Sequence, residues 1–566
     1  MRYRKALPWL GLAGILLLYV AFLARLHPAS LFGVSQDDSI YFSSAKALAE
    51  GKGYILPGVP GEPPAANKFP ILYPWMLSWV WRLNPSFPSN VDDGVALTVA
   101  FGLVYLTFAF VFFRRSMKMG NASALLLTAF CAFHPVVLFH SASILSDIPF
   151  AALALGSLVL ADTAMRRNGD RLTPILCGVL AGLSILARTT GYPVVLGILA
   201  IAILRKAWRP AAAFASTVAL FFSLFVWERL AAATASLPAG WSTFSPAFRQ
   251  TWMYYTDYTG FRKLSVVNLH VTATIFFNQY LYLCAHLPGF FISPLFSRNI
   301  LLAFISTVVL LCAIVAGLVR TTELHGWKPI HIALIFYLAL VLAWNYPDWD
   351  RFLIPFLPLF TASLWIEGKW IVGELSCVSR SDRRLRNRAA ALLFGSALAA
   401  VGLGILWNVV ANQDRRDLVD TSRARAALLA EKREAYDWLR RNTPQDSRII
   451  AAEDGCLYLY TGRQSMGHIA MLPVGMYEPE QLQSDLNHLT DVATAIRATY
   501  WFASTDDSDK QWKGAKPQLA ARLHEIEGVL PELFRSRSGH VRIFGLGCLQ
   551  NRQDPSCSSA DRVLFP

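Results

Sequence analysis

The residues best suited to chemistry in this chain are two adjacent acids, Asp37 and Asp38, in Ser35-Gln36-Asp37-Asp38-Ser39-Ile40-Tyr41. They follow an apolar run at 7–26 that is long enough to cross a bilayer. Neighbouring carboxylates repel each other and are costly to dehydrate, so the pair suits binding a cation or taking a proton. A helix N-cap in water uses the same residue types. Three further stretches have similar character. Asn67-Lys68-Phe69-Pro70-Ile71-Leu72-Tyr73-Pro74 sets a cation among prolines and aromatic rings. Lys68 there can pair a phosphate or carboxylate, or anchor in the headgroup zone. Ser146-Asp147-Ile148-Pro149 places an acid near His140 at the start of an apolar run, where it also fits an N-cap. Asp348-Trp349-Asp350-Arg351-Phe352-Leu353-Ile354-Pro355 sends Arg351 into an apolar helix. Arg351 can hold a lipid phosphate through two parallel hydrogen bonds, or pair with Asp348 or Asp350. Arg188, at the turn Ala187-Arg188-Thr189-Thr190, is a weaker candidate of the same kind.

The elements that must position these groups are membrane helices. The chain has 566 residues, of which 54% are hydrophobic and 16% charged, with mean hydropathy +0.38. That excludes an ordinary soluble enzyme and predicts a polytopic α-helical membrane protein. Apolar segments at 7–26, 93–113, 120–139, 147–164, 172–187, 191–204, 210–228, 299–319, 329–345, 352–370 and 389–410 predict about 11 spans. The net charge of +14 does not signal nucleic acid, because the basic residues sit in short loops. Arg114-Arg115, Arg166-Arg167, Arg205-Lys206 and the run at 380–388 all fall on one side, as the positive-inside rule requires.

An N-terminus in the cytoplasm then places the four chemical stretches outside. Residues 268–296 are apolar but broken by Asn278, Gln279, His286, Pro288 and Pro294, and read as a re-entrant or interfacial outer helix. The outer loops are 27–92 and 229–298; the second holds Trp241, Trp252, Tyr254, Tyr255 and Tyr258, rings that suit the headgroup zone and also stack on sugars. The domains are thus 1–410, transmembrane, and 411–566, an extracytoplasmic α/β domain. In the latter, apolar spacing predicts a helix over 423–441, strands at 448–452, 499–503 and 540–544, and a helix over 517–526. No nucleotide-binding glycine motif occurs there. Most cysteines lie in apolar runs; Cys548 and Cys557 could form a disulfide if exposed to the outside.

Four stretches resemble those of the GT-C superfamily of integral-membrane glycosyltransferases, of the family 39 and 83 type (protein O-mannosyltransferases and the aminoarabinose transferase of lipid A). Asp37-Asp38-Ser39-Ile40-Tyr41 is similar to the family's D-E-x-x-Y, and Lys68-Phe69-Pro70-Ile71-Leu72-Tyr73-Pro74 to its K-x-P-P-L-Y. Ser146-Asp147-Ile148-Pro149-Phe150 is similar to its S-E/D-x-P-F, and Arg351 to Pro358 to its R-Y-x-x-P-x-x-P. Trp438 to Pro444 and Tyr460-Thr461-Gly462-Arg463 resemble the tail of bacterial members. Asp38 stands where Glu is usual and Ile71 where a second Pro is common, and neither change removes a charge.

The resemblance implies a polyprenyl-phosphate sugar donor and an inverting transfer to a lipid, glycan or protein acceptor. It places the protein in the inner (plasma) membrane. It makes Asp37 the general base, with Asp38 and Asp147 as further catalytic candidates. Lys68, Tyr73, Arg351 and Arg188 would bind the donor phosphate or substrate. A divalent cation, Mg or Mn, held by Asp38 and Asp147 is the alternative way to hold the phosphate. The other classes consistent with the chain are a lipid-linked glycan flippase or transporter, a glycan ligase or polymerase, and a non-catalytic scaffold. The absence of a visible internal repeat and of midplane charges counts against a transporter.

Overall fold

A chain in lipid must close its own backbone hydrogen bonds, and helices do so segment by segment. The computed structural model describes residues 2–25, 32–33, 35–61, 63–66, 68–165, 172–232, isolated positions between 273 and 287, 300–343, 349–375, 413–467, 488–507 and 516–547. The helices are α1 Arg2–Ala24, α2 Gln36–Ala49, α3 Leu72–Leu83, α4 Val91–Val111, α5 Asn121–Ala132, α6 Pro135–Ser141, α7 Asp147–Ala164, α8 Leu172–Ala187, α9 Tyr192–Leu204 and α10 Trp208–Ala232. There follow α11 Ile300–His325, α12 Pro329–Leu342, α13 Trp349–Leu353, α14 Leu357–Leu375 and α15 Gln413–Asn442. The remainder is β1 Arg448–Ala451, α16 Asp454–Thr461, β2 Gln464–Met466, α17 His488–Ile496, β3 Tyr500–Ser504, α18 Lys516–Glu527, β4 Glu532–Arg535 and β5 Val541–Gly545.

Among the described residues, the apolar segments 7–26, 93–113, 120–139, 147–164, 172–187, 191–204, 210–228, 299–319, 329–345 and 352–370 are largely helical. Five described helices are long and apolar enough to cross a membrane, or six if the bent pair α5–α6 is one span. The pair bends by 58° where Pro135 excludes a continuous helix. Helices α8, α9 and α12, at 16, 13 and 14 residues, are shorter than a plain crossing requires. The segment 389–410, Cys548, Cys557 and nearly all of 229–298 lie outside the described residues.

The chain forms two compact units. The first comprises 1–28, 95–226 and 272–421. It is a helical bundle in which α7 packs on α8, α9 on α12, α11 on α14, and α1 on α5. Lipid supplies no hydrophobic drive between helices, so close backbone approach does the work. Gly197 illustrates this: a Cβ there would sit 2.6 Å from the backbone nitrogen of Ala333, between α9 and α12. Several polar groups inside are paired. Tyr105 donates to the carbonyl of Ile354 at 2.8 Å. At the C-terminal end of α7, Asp162 accepts from the buried Lys328 at 3.0 Å and lies 3.6 Å from Arg205.

The second unit comprises 29–94, 227–271 and 422–566. Its five-stranded sheet has the order β2-β1-β3-β5-β4. β1 runs parallel to β2 and β3, whereas β3–β5 and β5–β4 are antiparallel. Alternation along β1 fixes which layer each residue meets. Ile449 packs with Phe502, Val541, Ile543 and the Ala435, Tyr436 and Leu439 face of α15. Ile450 packs on the other side with Met466, Trp501, Phe544 and Val492, and with Ile40, Leu56 and Val59 from the 29–94 segment. That segment therefore belongs to the core of the same unit as the sheet. The C-terminal carbonyls of α15 are satisfied by buried Arg463, which donates to Arg440 O at 3.0 Å and Thr443 O at 2.8 Å.

Candidate active site

The candidate groups form two clusters, one in each unit. In the second unit, α2 starts after Ser35, whose backbone is extended but whose hydroxyl makes no cap bond. Asp37 and Asp38 occupy its first turn, where a negative charge suits the helix dipole. The two acids part company at once. Asp37 is 16% exposed and its Oδ1 lies 3.2 Å from the Lys68 ammonium, which is 1% exposed. The 68–73 stretch is pinned by aromatic packing: Phe69 stacks on Tyr41 at 4.3 Å, and Tyr73 meets Tyr41 edge-on at 5.3 Å. Tyr54 donates to Phe69 O at 3.0 Å. Tyr73 is buried and packs on Tyr41, which stacks on Phe69 beside Lys68.

Asp38 points the other way and is 1% exposed. Its Oδ2 accepts the Gly33 N–H at 2.9 Å, and its Oδ1 has no hydrogen-bond partner among the described residues. Burial first, and then the negative charges of Glu453 and Asp37, raise its carboxyl well above the ordinary range, against the Gly33 and Ser39 N–H bonds. One acid of the pair is ion-paired near solvent; its neighbour is shut away from it.

In the first unit, Asp147 opens α7 and is 1% exposed on its side chain. Arg188, between α8 and the tight turn Thr189–Gly191, and Arg351, in α13, both donate to Asp147 Oδ1, the latter from Nε at 3.0 Å. His140 Nδ1 lies 3.8 Å from Asp147 Oδ2, and neither atom has a hydrogen-bond partner among the described residues. Arg188 also lies over the Phe352 ring at 5.5 Å. Two guanidinium groups thus share one carboxylate, with Asp350 also within electrostatic reach of His140. The sequence offered Arg351 a lipid phosphate or, failing that, Asp348 or Asp350; one carboxylate it meets is that of Asp147, 204 residues away. Nothing local in the sequence signals that pairing.

A metal fits this arrangement poorly. Among the described residues, no three His, Cys, Asp or Glu side chains converge to hold one. Asp147 already faces two cations, which oppose a dication on the same oxygens.

One group of residues escaped the sequence reading. Lys432 on α15 donates to Glu453 Oε1 at 2.9 Å and to Asp506 Oδ2 at 2.8 Å. The signal available was that Lys432, alone of the charged run Glu431-Lys432-Arg433-Glu434, falls at helical spacing from each of Leu428, Leu429, Tyr436 and Leu439.

The chain matches no model of a known protein family. No curated protein matches it either. Solved structures do. The apo oligosaccharyltransferase of Archaeoglobus fulgidus superposes with a TM-score of 0.53 at 13% identity, over 96% of this chain and 74% of the other. The archaeal oligosaccharyltransferase AglB from the same organism, bound to an inhibitory peptide and a dolichol-phosphate, gives 0.52 at 13% identity over 92% and 74%. ArnT from Cupriavidus metallidurans in the apo state aligns over 95% and 99% of the two chains at 12% identity, but its TM-score of 0.44 adds no weight. At such identity the likeness speaks for the fold alone: the chain shares the fold of these two oligosaccharyltransferase structures.

Proposed function

We propose that this protein is a membrane glycosyltransferase that moves a sugar from a polyprenyl-phosphate donor to an acceptor hydroxyl, with inversion, on the extracytoplasmic face. The observation that carries this reading is the Asp37–Lys68 pair, a carboxylate and a buried ammonium 3.2 Å apart on a rigid aromatic base. Transfer needs two things from the protein. It must take the acceptor's proton, and it must hold the negative charge that gathers on the departing phosphate. Asp37 does the first: its carboxylate accepts the hydroxyl proton as the acceptor oxygen attacks the anomeric carbon. The bond from that carbon to the phosphate oxygen breaks, and the electron pair leaves with the polyprenyl phosphate. Lys68 is the cation beside Asp37 that holds the phosphate; Arg351 and Arg188, paired with Asp147 in the first unit, are the other candidates for that task. A phosphate leaving group is stable as an anion, so no strong acid is required.

In this reading residues 1–410 form the transmembrane catalytic part, and 411–566 lie outside the cytoplasm of an inner (plasma) membrane. The dolichol-phosphate bound to the similar AglB is consistent with a lipid-phosphate donor here. The test is transfer by reconstituted protein, offered polyprenyl-phosphate sugars or nucleotide sugars in turn. Transfer from the lipid donor alone, lost in Asp37→Asn, is the expected result. Transfer from a nucleotide sugar with lipid carrier absent overturns the proposal.

A further inference from the structure

In open α/β sheets the crevice at the carboxyl ends of the strands, where the connections diverge, is where ligands bind. In the second unit that crevice lies between β1 and β3. From β1 the chain crosses through α16 to β2 on one side, while β3 pairs with β5 on the other. The residues just beyond the two strands are Glu453 and Asp506, and both are bridged by the ammonium of Lys432, 5% exposed. Asp506 also accepts from Ser504 Oγ at 2.5 Å, and Asp507 Oδ2 accepts from Ser504 N at 2.9 Å. Gly33, ahead of α2, and Ser39, in its first turn, lie against the residues that follow β1. Gly33 holds a left-handed backbone, φ +91, that an ordinary residue resists. A Cβ on Gly33 would lie 3.0 Å from Cys456 Sγ and 3.9 Å from Glu453 Oε2. The Gly33 N–H holds Asp38. Helix α16 meets α2 directly, and a Cβ on Gly455 would come within 3.3 Å of the Ser39 backbone.

We infer that the C-terminal α/β domain positions the proposed base, and that Lys432 and Glu453 are the positioning residues. The inference rests on the reading of Asp37 as the base. Lys432 neutralises Glu453, and Glu453 forms the wall against which Gly33 and Asp38 seat the first turn of α2. Asp37 is the neighbouring residue of that turn. Without the ammonium, Glu453 loses the cation that sits 2.9 Å from its Oε1 while Asp38 stays buried beside it, and the turn moves to relieve the repulsion. Displacement of a catalytic group by about 1 Å is enough to cost on the order of 100-fold in rate.

The test uses full-length protein in detergent or proteoliposomes. Lys432→Met is expected to lower kcat by between about tenfold and about 100-fold, with donor KM within about twofold of the parent. Lys432→Arg is expected to keep the rate. Lys432→Met/Glu453→Gln, which removes both charges of the pair, is expected to recover most of it. Lys432→Gln carries the same expectation as Lys432→Met, should the latter fail to fold. A merely structural role lowers thermal stability in all of these and leaves kcat of the folded fraction unchanged; that result overturns the inference. So does a double variant as slow as Lys432→Met. Near-normal turnover by Asp37→Asn overturns the base assignment instead. Normal turnover by Lys432→Met beside an inactive Asp37→Asn overturns this inference alone.

Discussion

Asp37→Asn should damage this protein twice, and the two losses can be separated. The Asp37–Lys68 pair at 3.2 Å has a Coulomb attraction of ~5 kcal/mol at an effective dielectric of about 20, which is a ceiling. Removing one partner of a buried pair costs about 3–5 kcal/mol, because the survivor is left buried. Lys68 is 1% exposed, while Asp37 at 16% still reaches some water, so the low end, about 3 kcal/mol, is expected. Losing a general base costs on the order of a hundredfold to ten-thousandfold in rate, or about 2.7–5.4 kcal/mol of transition-state stabilisation. Asp37→Asn/Lys68→Met removes both charges while keeping the buried stem. It should regain most of the lost stability and none of the lost turnover. Thermal unfolding and single-turnover transfer, both normalised to folded protein, give the two readouts. A folded Asp37→Asn protein turning over within about threefold of the parent refutes the base assignment and passes the role to Asp38 or Asp147. A double variant no more stable than the single one refutes the energetic account of the pair.

Arg351→Ala should weaken donor binding by about 10-fold to 150-fold, the value of a charge-assisted hydrogen bond, while bound donor still reacts; donor titration against single-turnover rate checks this. Residue 450 should be labelled from outside the cell in a cysteine-accessibility map, and labelling only from the cytoplasm sinks the proposed topology. Asp38 gives a pH signature. Its folded carboxyl binds protons more tightly than the ordinary value of 3.8, so the folded state holds the extra proton between that value and its own. Stability therefore falls as pH rises through that window, and Asp38→Asn should flatten the dependence of the thermal midpoint there.

The sequence was legible where local pattern carries the information. Apolar runs marked the helices, and the runs at 448–452, 499–503 and 540–544 marked β1, β3 and β5, whose residues are buried on both faces. It was silent on β2 and β4. The first is three residues, Gln464–Met466, and the second, Glu532–Arg535, is a largely exposed edge with a charge at each end. The same divide runs through the site. Asp37, Lys68, Asp147 and Arg351 stood out as charges in apolar surroundings, but their pairings join positions far apart in the chain, which no local spacing encodes. The parting of Asp37 from Asp38 depends on Gly33 and Glu453 and could not be read from two identical neighbouring letters.

Helix α7 has a consequence for where the reaction takes place in the lipid. Asp147 begins it and Asp162 lies near its other end, each held by cations from other helices. At 1.5 Å per residue their backbones are roughly 22 Å apart along the axis, less than the hydrocarbon thickness of about 30 Å. Both charged ends cannot then stand at the headgroup planes of an unperturbed bilayer. The helix is too short a ruler, and its ends are fixed. A lipid phosphate that reaches the Arg188–Arg351 end either leaves its own plane to do so or finds the bilayer already thinned around the protein. Turnover should therefore respond to acyl-chain length, with thinner membranes bringing the phosphate to the guanidinium groups at less cost.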